Sequence, residues 1–126
     1  MLDLSGFDFK KFAEAGIELQ LINPVDGKPL DAFISIKGED SSEWREALLT
    51  NAKAVNPEVD QSADDQQRKM AFSLAAITTG WSGISEKEEA IEYSKDAAMA
   101  LYFQYDWIAN QVYIALRDRE RFLVNA

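Results

Sequence analysis

The stretch Ala75-Ala-Ile-Thr-Thr-Gly-Trp-Ser-Gly-Ile84 separates the part of the chain that leads up to it from an aromatic, helical part that follows. Four apolar residues, which begin upstream of this stretch and end within it, have the i, i+4, i+7, i+11 spacing of one helix face: Met70, Leu74, Ile77 and Trp81. Gly80 stands where a helix C-cap glycine is expected. We therefore predict a helix that ends at Gly80 and a structural hinge formed by Gly80, Trp81 and Gly83. In this interpretation Trp81 fixes the last helices against the helix before them.

Upstream of this stretch, two segments alternate apolar and polar residues. The segments are Ile17 to Ile22 and Leu30 to Lys37, and their period of two places each apolar set on one face of a sheet. The connection Asn23-Pro-Val-Asp-Gly-Lys-Pro29 contains an Asp-Gly pair, which tolerates the positive φ of a hairpin turn. The pattern predicts a β-hairpin. Because a lone hairpin is marginally stable, it has to pack on helices or on strands of another chain.

Helix-start signals occur on both sides of the opening stretch. Three Ser or Asp residues have an acidic residue three positions later, as in a capping box: Asp40 with Glu43, Ser62 with Asp65, and Ser85 with Glu88. The segment Asn56-Pro-Glu-Val-Asp-Gln-Ser62 is expected to break the helical region, and Asp106-Trp107 to interrupt it again. Residues 7–15 predict a short helix or turn that ends at Gly16.

Together these signals predict an α+β fold with an N-terminal β-hairpin followed by a mainly α-helical region of about four helices. We expect residues 1–126 to form a single domain, because one hairpin followed by helices is the economical arrangement. Residues 1–38 would hold the N-terminal segment and the hairpin, and residues 39–126 the helical region. A hydrophobic fraction of 47% supports a packed core over disorder.

Composition excludes several classes of function. The chain has no cysteine and no histidine, which removes disulfides, thiolate zinc sites and the Ser-His-Asp arrangement. Its net charge of −9 disfavours nucleic acid as a partner. The first residues lack the basic and apolar regions of a signal peptide, and no apolar run is long enough to span a membrane. We therefore expect a protein with no nucleic-acid and no membrane partner.

Three patterns that suggest chemistry do not complete a site. Gly80-Trp-Ser-Gly83 is not a Gly-x-Ser-x-Gly nucleophile elbow, and no histidine could activate its serine. Asp60-Gln-Ser-Ala-Asp-Asp65 lacks the spacing and the glycine of a calcium loop, so a solvated helix start is the better interpretation. The remaining acidic residues fit a charged helix face: Glu86, Glu88, Glu89 and Glu92. We predict no catalytic residue, no cofactor and no metal site.

The aromatic residues of the C-terminal part indicate an interaction surface. Tyr102 and Phe103 are adjacent, so both cannot face the core of one helix. A protein-binding face is predicted from aromatic and arginine residues, which are favoured at interfaces: Tyr102, Phe103, Trp107, Arg117, Arg119 and Arg121. The alternative is a well-filled core with scattered surface aromatics. If the face binds a partner, Tyr102→Asp or Phe103→Asp should weaken binding while the domain stays folded.

Several segments together carry a family resemblance. They are Leu21-Ile-Asn-Pro-Val-Asp-Gly-Lys-Pro-Leu30 running into Ile34-Ser-Ile-Lys-Gly-Glu-Asp-Ser41, the Ala75–Gly83 stretch, the acidic segment Ser85 to Glu92, Tyr105-Asp-Trp-Ile-Ala-Asn-Gln-Val112, and Asp118-Arg-Glu-Arg-Phe122. With these segments the chain resembles the tail assembly chaperones of phages that have long, flexible, non-contractile tails. The resemblance spans most of the chain.

The resemblance implies a non-enzymatic assembly factor. Such proteins bind the tape measure protein, keep its long apolar helices soluble and help to bring tail tube protein to it. Many occur in a short form and in a longer, frameshifted form, and this chain would correspond to the short form. The resemblance also places the protein in the host bacterial cytoplasm during assembly and not in the mature virion. We further expect a homo-oligomer, because a spare hairpin edge and the aromatic helices could meet neighbouring copies.

Two other functions are compatible with the same residues. One is a structural virion protein, such as a tail-completion or head–tail joining component, and finding the chain in purified virions would favour it. The other is a small hydrolase that uses carboxylates and a divalent metal. The absence of histidine and cysteine makes that hydrolase the weakest hypothesis.

Overall fold

The predicted hairpin is present in the computed structural model, which describes residues 1–53 and 62–124. Strand β1 (Ile17–Ile22) pairs antiparallel with strand β2 (Pro29–Ile36), within one residue of the predicted bounds. Gly27 adopts a φ of 73°, and the Asn23 N–H donates to the Lys28 carbonyl oxygen over 2.9 Å. The Asp-Gly pair therefore closes the turn as expected, because glycine accepts a positive φ without strain.

A third strand, absent from the prediction, extends this sheet. Helix α3 (Ala63–Ile77) passes directly into strand β3 (Thr78–Ser82), which pairs antiparallel with β2 to give the order β1-β2-β3. The predicted helix end at Gly80 was therefore wrong. Gly80 and Trp81 lie opposite Ser35 and Ile34 in the β2–β3 register, so this backbone pairs with a strand and does not form a helix turn.

The two helices between β2 and β3 begin at serine caps. Helix α2 (Ser42–Lys53) begins after Ser41, whose Oγ accepts from the Trp44 N–H at 3.4 Å. The predicted cap, Asp40, was wrong because its carboxylate binds Arg119 instead. At the start of α3, the Ser62 Oγ accepts from the Asp65 N–H at 3.1 Å, which confirms that cap. The predicted break over residues 56–62 lies, except for Ser62, outside the described residues.

The predicted helix start at Ser85 was also wrong. Strands β4 (Ser85–Glu86) and β5 (Glu89–Ala90) form a small hairpin, whose two turn residues have φ angles of 51° and 68°. Helix α4 (Lys95–Gln104) begins later, where the Ser94 Oγ accepts from the Ala97 N–H. Two tertiary hydrogen bonds hold the segment before Ser94 on the sheet: Trp81 Nε1 donates to the Ile91 carbonyl, and the Tyr93 hydroxyl to the Thr78 carbonyl.

Beyond α4 the chain forms helix α5 (Asp106–Arg117) and helix α6 (Arg119–Val124). The interruption expected near Asp106 is confirmed, since α4 and α5 are separate helices. Gln67 Nε2 stabilises the junction by donating to the Phe103 carbonyl and to the Asp106 carboxylate. Helix α1 (Phe9–Ala15) follows a 3-10 turn at Leu4–Phe7. The described residues therefore contain six α-helices, more than the four expected. The predicted α+β fold is confirmed.

The core lies between one face of the three-stranded sheet and the helices. The inward side chains of β1 and β2 pack against apolar residues of α3, α4 and α5. The following side chains of this core are fully buried: Leu21, Ile34, Ile36, Leu74, Ile77, Val112 and Leu116. Burying each large aliphatic side chain contributes about 1.5–3 kcal/mol to folding. Gln111 of α5 covers the end of β1 by accepting from the Ile22 N–H and donating to the Ile22 carbonyl.

Helix α6 closes the molecule against α1. Phe122 is buried next to Gly38, where an added Cβ would lie 3.0 Å from the Ala13 Cβ and 3.1 Å from the Phe122 ring. The Gly38 N–H donates to the Ala13 carbonyl, and the Glu39 N–H donates to the Leu116 carbonyl. The segment after β2 is thus held between the first helix and the last two.

Candidate functional site

Tyr102, the first residue of the predicted binding face, is a core residue. It is 1% exposed, and its hydroxyl lies 2.7 Å from the Thr78 Oγ1. Its assignment to a binding surface was therefore wrong. The physical reason is that α4 packs on α3 along the side that carries Leu101 and Tyr102, so Phe103 is the member of the adjacent pair that lies nearer to solvent.

Phe103 and Trp107 are half-buried near the α4–α5 junction. The Arg68 guanidinium lies over the Phe103 ring, with Cζ 5.6 Å from its centroid, in a cation–π contact. Trp107 lines a shallow depression together with residues from the end of the sheet and from the segment after β3: Leu21, Leu30, Ala32, Gly83, Ile84 and Ile108. Each ring keeps a solvent-accessible part, but both are held by contacts within the chain.

The three predicted arginines are exposed and are engaged by acidic residues. Arg119 makes two hydrogen bonds to the Asp40 carboxylate, at 2.7 and 3.0 Å, which raises the pKa of its guanidinium. Arg117 lies 3.9 Å from Glu39, and Arg121 lies 3.2 Å from Asp118. Because carboxylates accompany every arginine, this end of the molecule is a mixed-charge surface and not a basic patch.

The structure does not bring the aromatic and arginine residues together. Trp107 is in the first turn of α5 and Arg117 is at its end, which separates them by about 15 Å along the helix axis at 1.5 Å per residue. The predicted binding face is therefore two patches, one at the α4–α5 junction and one at the α5–α6 junction.

The predicted hinge residues have roles in the sheet. Trp81 lies in β3, its ring is 5.2 Å from that of Tyr93 in an edge-to-face contact, and its indole binds the Ile91 carbonyl. Its predicted position on the face of a helix was wrong. Gly83, with a φ of 75°, forms the turn that follows, whereas Gly80 pairs with Ser35 next to an irregularity in the β2–β3 register. Trp81 therefore anchors the segment before α4 to the sheet.

A surface that the sequence did not reveal lies between α2, α3 and α4. We call it the helix groove; it has a volume of about 370 Å³ and is lined by Glu43, Glu46, Ala47, Thr50, Phe72, Ala75, Ala76, Lys95 and Met99. Its floor is small and apolar, because Ala47 and Ala75 are buried. Its walls include the half-buried Phe72 ring and Met99, which is 37% exposed.

Each helix presents a regular stripe to the helix groove. The lining positions are 43, 46, 47 and 50 on α2, then 72, 75 and 76 on α3, and 95 and 99 on α4. Spacings of three and four residues define one helix face. The only sequence signal for this groove is the alanine at positions 47, 75 and 76. That signal is indistinguishable from ordinary helix packing until the three helices are placed together.

Charged side chains of both signs lie along the rim of the groove. Glu43 and Glu46 project from α2, and the Lys37 Nζ binds one oxygen of Glu43 at 2.8 Å, a hydrogen bond that lowers the pKa of Glu43. Glu43 is therefore ionised at neutral pH. The Lys95 ammonium donates to the carbonyl oxygens of Ala75, Ala76 and Thr78, at 2.9, 3.3 and 2.7 Å. Its charge is thus directed to the C-terminal end of α3.

Lys95→Met should lower the free energy of unfolding by about 1–2 kcal/mol, since it removes a cation that satisfies the last carbonyls of α3. Lys10→Met removes the same charge from an exposed position on α1 and should change stability by less than about 0.5 kcal/mol. Urea unfolding of both variants at pH 7 measures the difference. Equal stability of the two variants would contradict the capping role of Lys95.

Large apolar side chains are also exposed outside the groove. The N-terminal segment has Leu2 and Leu4 each 70% exposed and Phe7 55% exposed, and the 3-10 turn at Leu4–Phe7 contains no buried residue. Further exposed positions are Leu48 and Leu49 on α2, Met70 on α3 and Ile114 on α5. An acidic chain thus presents apolar surface in several separate places.

The chain matches no protein-family model, no curated protein and no solved structure. Among residues 1–53 and 62–124, no three His, Cys, Asp or Glu side chains are grouped so that they could hold a metal ion. In the same part of the chain, none of the helices combines the length and the apolar character needed to cross a membrane. The exposed surface and the resemblance of the sequence are therefore the basis for assigning a function.

Proposed function

We propose that this protein is a non-enzymatic phage tail assembly chaperone that binds the tape measure protein and keeps it soluble. The observation that carries the proposal is the helix groove, an apolar trough open to solvent on a chain with a net charge of −9. Apolar grooves between helices are common binding sites for ligands and for amphipathic helices. Phe103, Trp107, Arg117, Arg119 and Arg121 are secondary contacts in this proposal.

The combination of an apolar groove and a strongly acidic surface suits a chaperone of apolar helices. The groove covers apolar side chains of the tape measure protein, because a helix bound in a groove buries one of its faces. Those side chains would otherwise associate with each other. The negative charge keeps the complex from aggregating, because like-charged complexes repel. Such a protein acts by binding alone, so it needs no nucleophile or general base.

The remaining features of the proposal follow from the resemblance. The protein acts in the host bacterial cytoplasm during tail assembly and is absent from the mature virion. Recruitment of tail tube subunits belongs to a longer, frameshifted form, and copies of the chain associate with one another. Exposed apolar residues on the N-terminal segment, such as Leu2 and Leu4, support self-association, because they are not buried in the core of the chain itself.

Co-expression with the tape measure protein of the same phage should raise the soluble yield of the latter several-fold. The control is co-expression with an unrelated acidic protein of similar size, which provides charge without the groove. Soluble tape measure protein, measured in the cleared lysate, should rise only with the present chain. An unchanged yield would count against the chaperone function, and recovery of the chain from purified virions would favour a structural virion protein.

A further inference from the structure

We infer that the helix groove binds a single amphipathic helix whose apolar stripe is flanked by Lys or Arg residues. The inference rests on the proposed function only in assigning that helix to the tape measure protein. The shape of the groove and the charges around it define the chemistry of the helix.

The walls of the groove favour a helix over an extended segment. An extended segment gains affinity mainly by pairing its backbone with an open sheet edge. Here the three walls are helices α2, α3 and α4, whose backbone groups are paired within each helix. A helix satisfies its own backbone and can lie in a trough formed by other helices. The occupant would therefore be a fourth helix packed on three.

The side chains of the groove define the apolar stripe of that helix. The buried alanines at 47 and 75 let another helix approach closely, toward the lower end of the 8–10 Å range of interaxial distances. Met99 has an unbranched, adaptable side chain on one wall, and Phe72 is on another. A partner with apolar residues at i, i+3, i+4 and i+7 would place them between these walls.

The charges around the groove determine what flanks the stripe. Glu43 and Glu46 lie along the α2 side, and the nearby Lys95 ammonium is directed to α3 carbonyls. Because Glu43 is already paired with Lys37, the exposed Glu46 is the carboxylate that a basic residue at the edge of the bound helix would meet, whereas an acidic residue there would be repelled. The net charge of −9 adds attraction for a basic helix at longer range.

The same charges disfavour the N-terminal segment of a second copy as the occupant. In that segment Asp3 and Asp8 flank the exposed apolar residues. These carboxylates have the same sign as the exposed Glu46, so a second copy fits the groove less well than a basic helix does. The helical part of the segment is also a single 3-10 turn of four residues, which presents too short a stripe for three helix walls.

Fluorescence anisotropy with the full chain and two labelled synthetic helices tests the inference. Both peptides carry the same Leu and Ala stripe, and they differ in having Lys or Glu at the flanking positions. The Lys-flanked peptide should bind about five- to tenfold more tightly at low salt, because each close charge contact contributes a fraction of a kcal/mol. Equal affinities would overturn the assignment of basic flanks.

Ala76→Glu places a carboxylate inside the groove and should weaken binding of the Lys-flanked peptide by about 20-fold or more. Ala90→Glu adds the same charge on the exposed β4–β5 hairpin and should leave binding unchanged. Met99→Glu, at an exposed wall position, repeats the test if Ala76→Glu fails to fold. Equal binding by the folded groove variant and by the Ala90→Glu control would overturn the groove as the site.

Two further measurements separate this inference from the proposed function. If wild-type chain is oligomeric in sedimentation and Ala76→Glu makes it monomeric, a second copy occupies the groove and the inference fails. If Ala76→Glu loses the peptide but still solubilises the tape measure protein, the groove is not the site for that partner, although the chaperone function stands. If the wild type binds the peptide but solubilises no tape measure protein, the groove inference stands and the proposed function fails.

Discussion

Tyr102→Asp is expected to abolish the cooperative thermal transition of this protein. The residue is 1% exposed, and its ring belongs to the core cluster where α4 packs on α3. Truncating a buried aromatic ring costs about 3–5 kcal/mol, and a buried carboxyl without partners adds to that cost. Since domains are stable by only about 5–15 kcal/mol, most of the folded population would be lost.

Tyr102→Phe separates the packing of the ring from the hydrogen bond of its hydroxyl. The Thr78 Oγ1, 2.7 Å from this hydroxyl, also donates to the Leu74 carbonyl at 2.8 Å, so the phenol is the donor to Thr78. Losing that bond should lower the free energy of unfolding by about 1 kcal/mol. A cooperative transition that persists in Tyr102→Asp near the wild-type temperature would contradict the burial of this residue.

The same hydroxyl makes stability depend on pH in the alkaline range. Burial raises the pKa of Tyr102 in the folded protein, whereas in the unfolded chain it titrates near its ordinary value of about 10. Above that pH the unfolded chain releases this proton and the folded protein retains it, so the contribution of Tyr102 to stability falls as pH rises. Urea unfolding of wild type and Tyr102→Phe at pH 7 and above pH 10 should show their difference shrinking.

Gly83→Ala should lower the free energy of unfolding by about 3 kcal/mol or more. Gly83 has a φ of 75°, and a Cβ built there would lie 2.1 Å from the Asp31 carbonyl oxygen and 3.1 Å from the Ala32 Cα. Both neighbours are backbone atoms of β2 and cannot rotate away, so the strand itself would have to move. The cost of the positive φ adds to that of the clash.

Gly80→Ala is the matched control for Gly83→Ala, three residues earlier in the same segment. No atom lies within 4 Å of a Cβ built at Gly80. Because glycine inside a strand is less stable than alanine by about 0.5–1 kcal/mol, this change should be neutral or slightly stabilising. Chemical unfolding of both variants measures the contrast. Similar stability of the two would contradict the close approach of Gly83 to β2.

Local patterns predicted the parts of the fold that depend on neighbouring residues. Strands β1 and β2 are recognisable because their alternation and their turn lie within one short segment. Strand β3 was missed because its partner, β2, lies more than forty residues upstream, and because Trp81 happens to continue a helical spacing from Met70. The prediction of a helix start at Ser85 was wrong for a similar reason, namely contacts between residues distant in sequence. The tertiary bonds of Trp81 and Tyr93 override a local cap.

The candidate site was less predictable than the fold. Tyr102 and Phe103 were correctly seen as unable to share one environment, but sequence alone does not say which of them faces the core. The helix groove depends on three helices that are distant in the chain, and its alanines are also common packing residues. The acidic partners of Arg117 and Arg119, Glu39 and Asp40, lie far away in sequence, so local patterns did not reveal them. By contrast, Asp118, which pairs with Arg121, is a near neighbour in the chain.

The packing of Phe122 beside Gly38 and Ala13, the latter more than one hundred positions earlier in the chain, determines when the fold can be completed on the ribosome. At a synthesis rate of about 5–20 residues per second, α1 waits roughly 5–20 s for α6. During that interval the sheet can form and α3 can pack on it, but the face of α1 that packs against α6 stays open. Completion of the nascent domain is therefore the last step, and it comes when α6 leaves the exit tunnel.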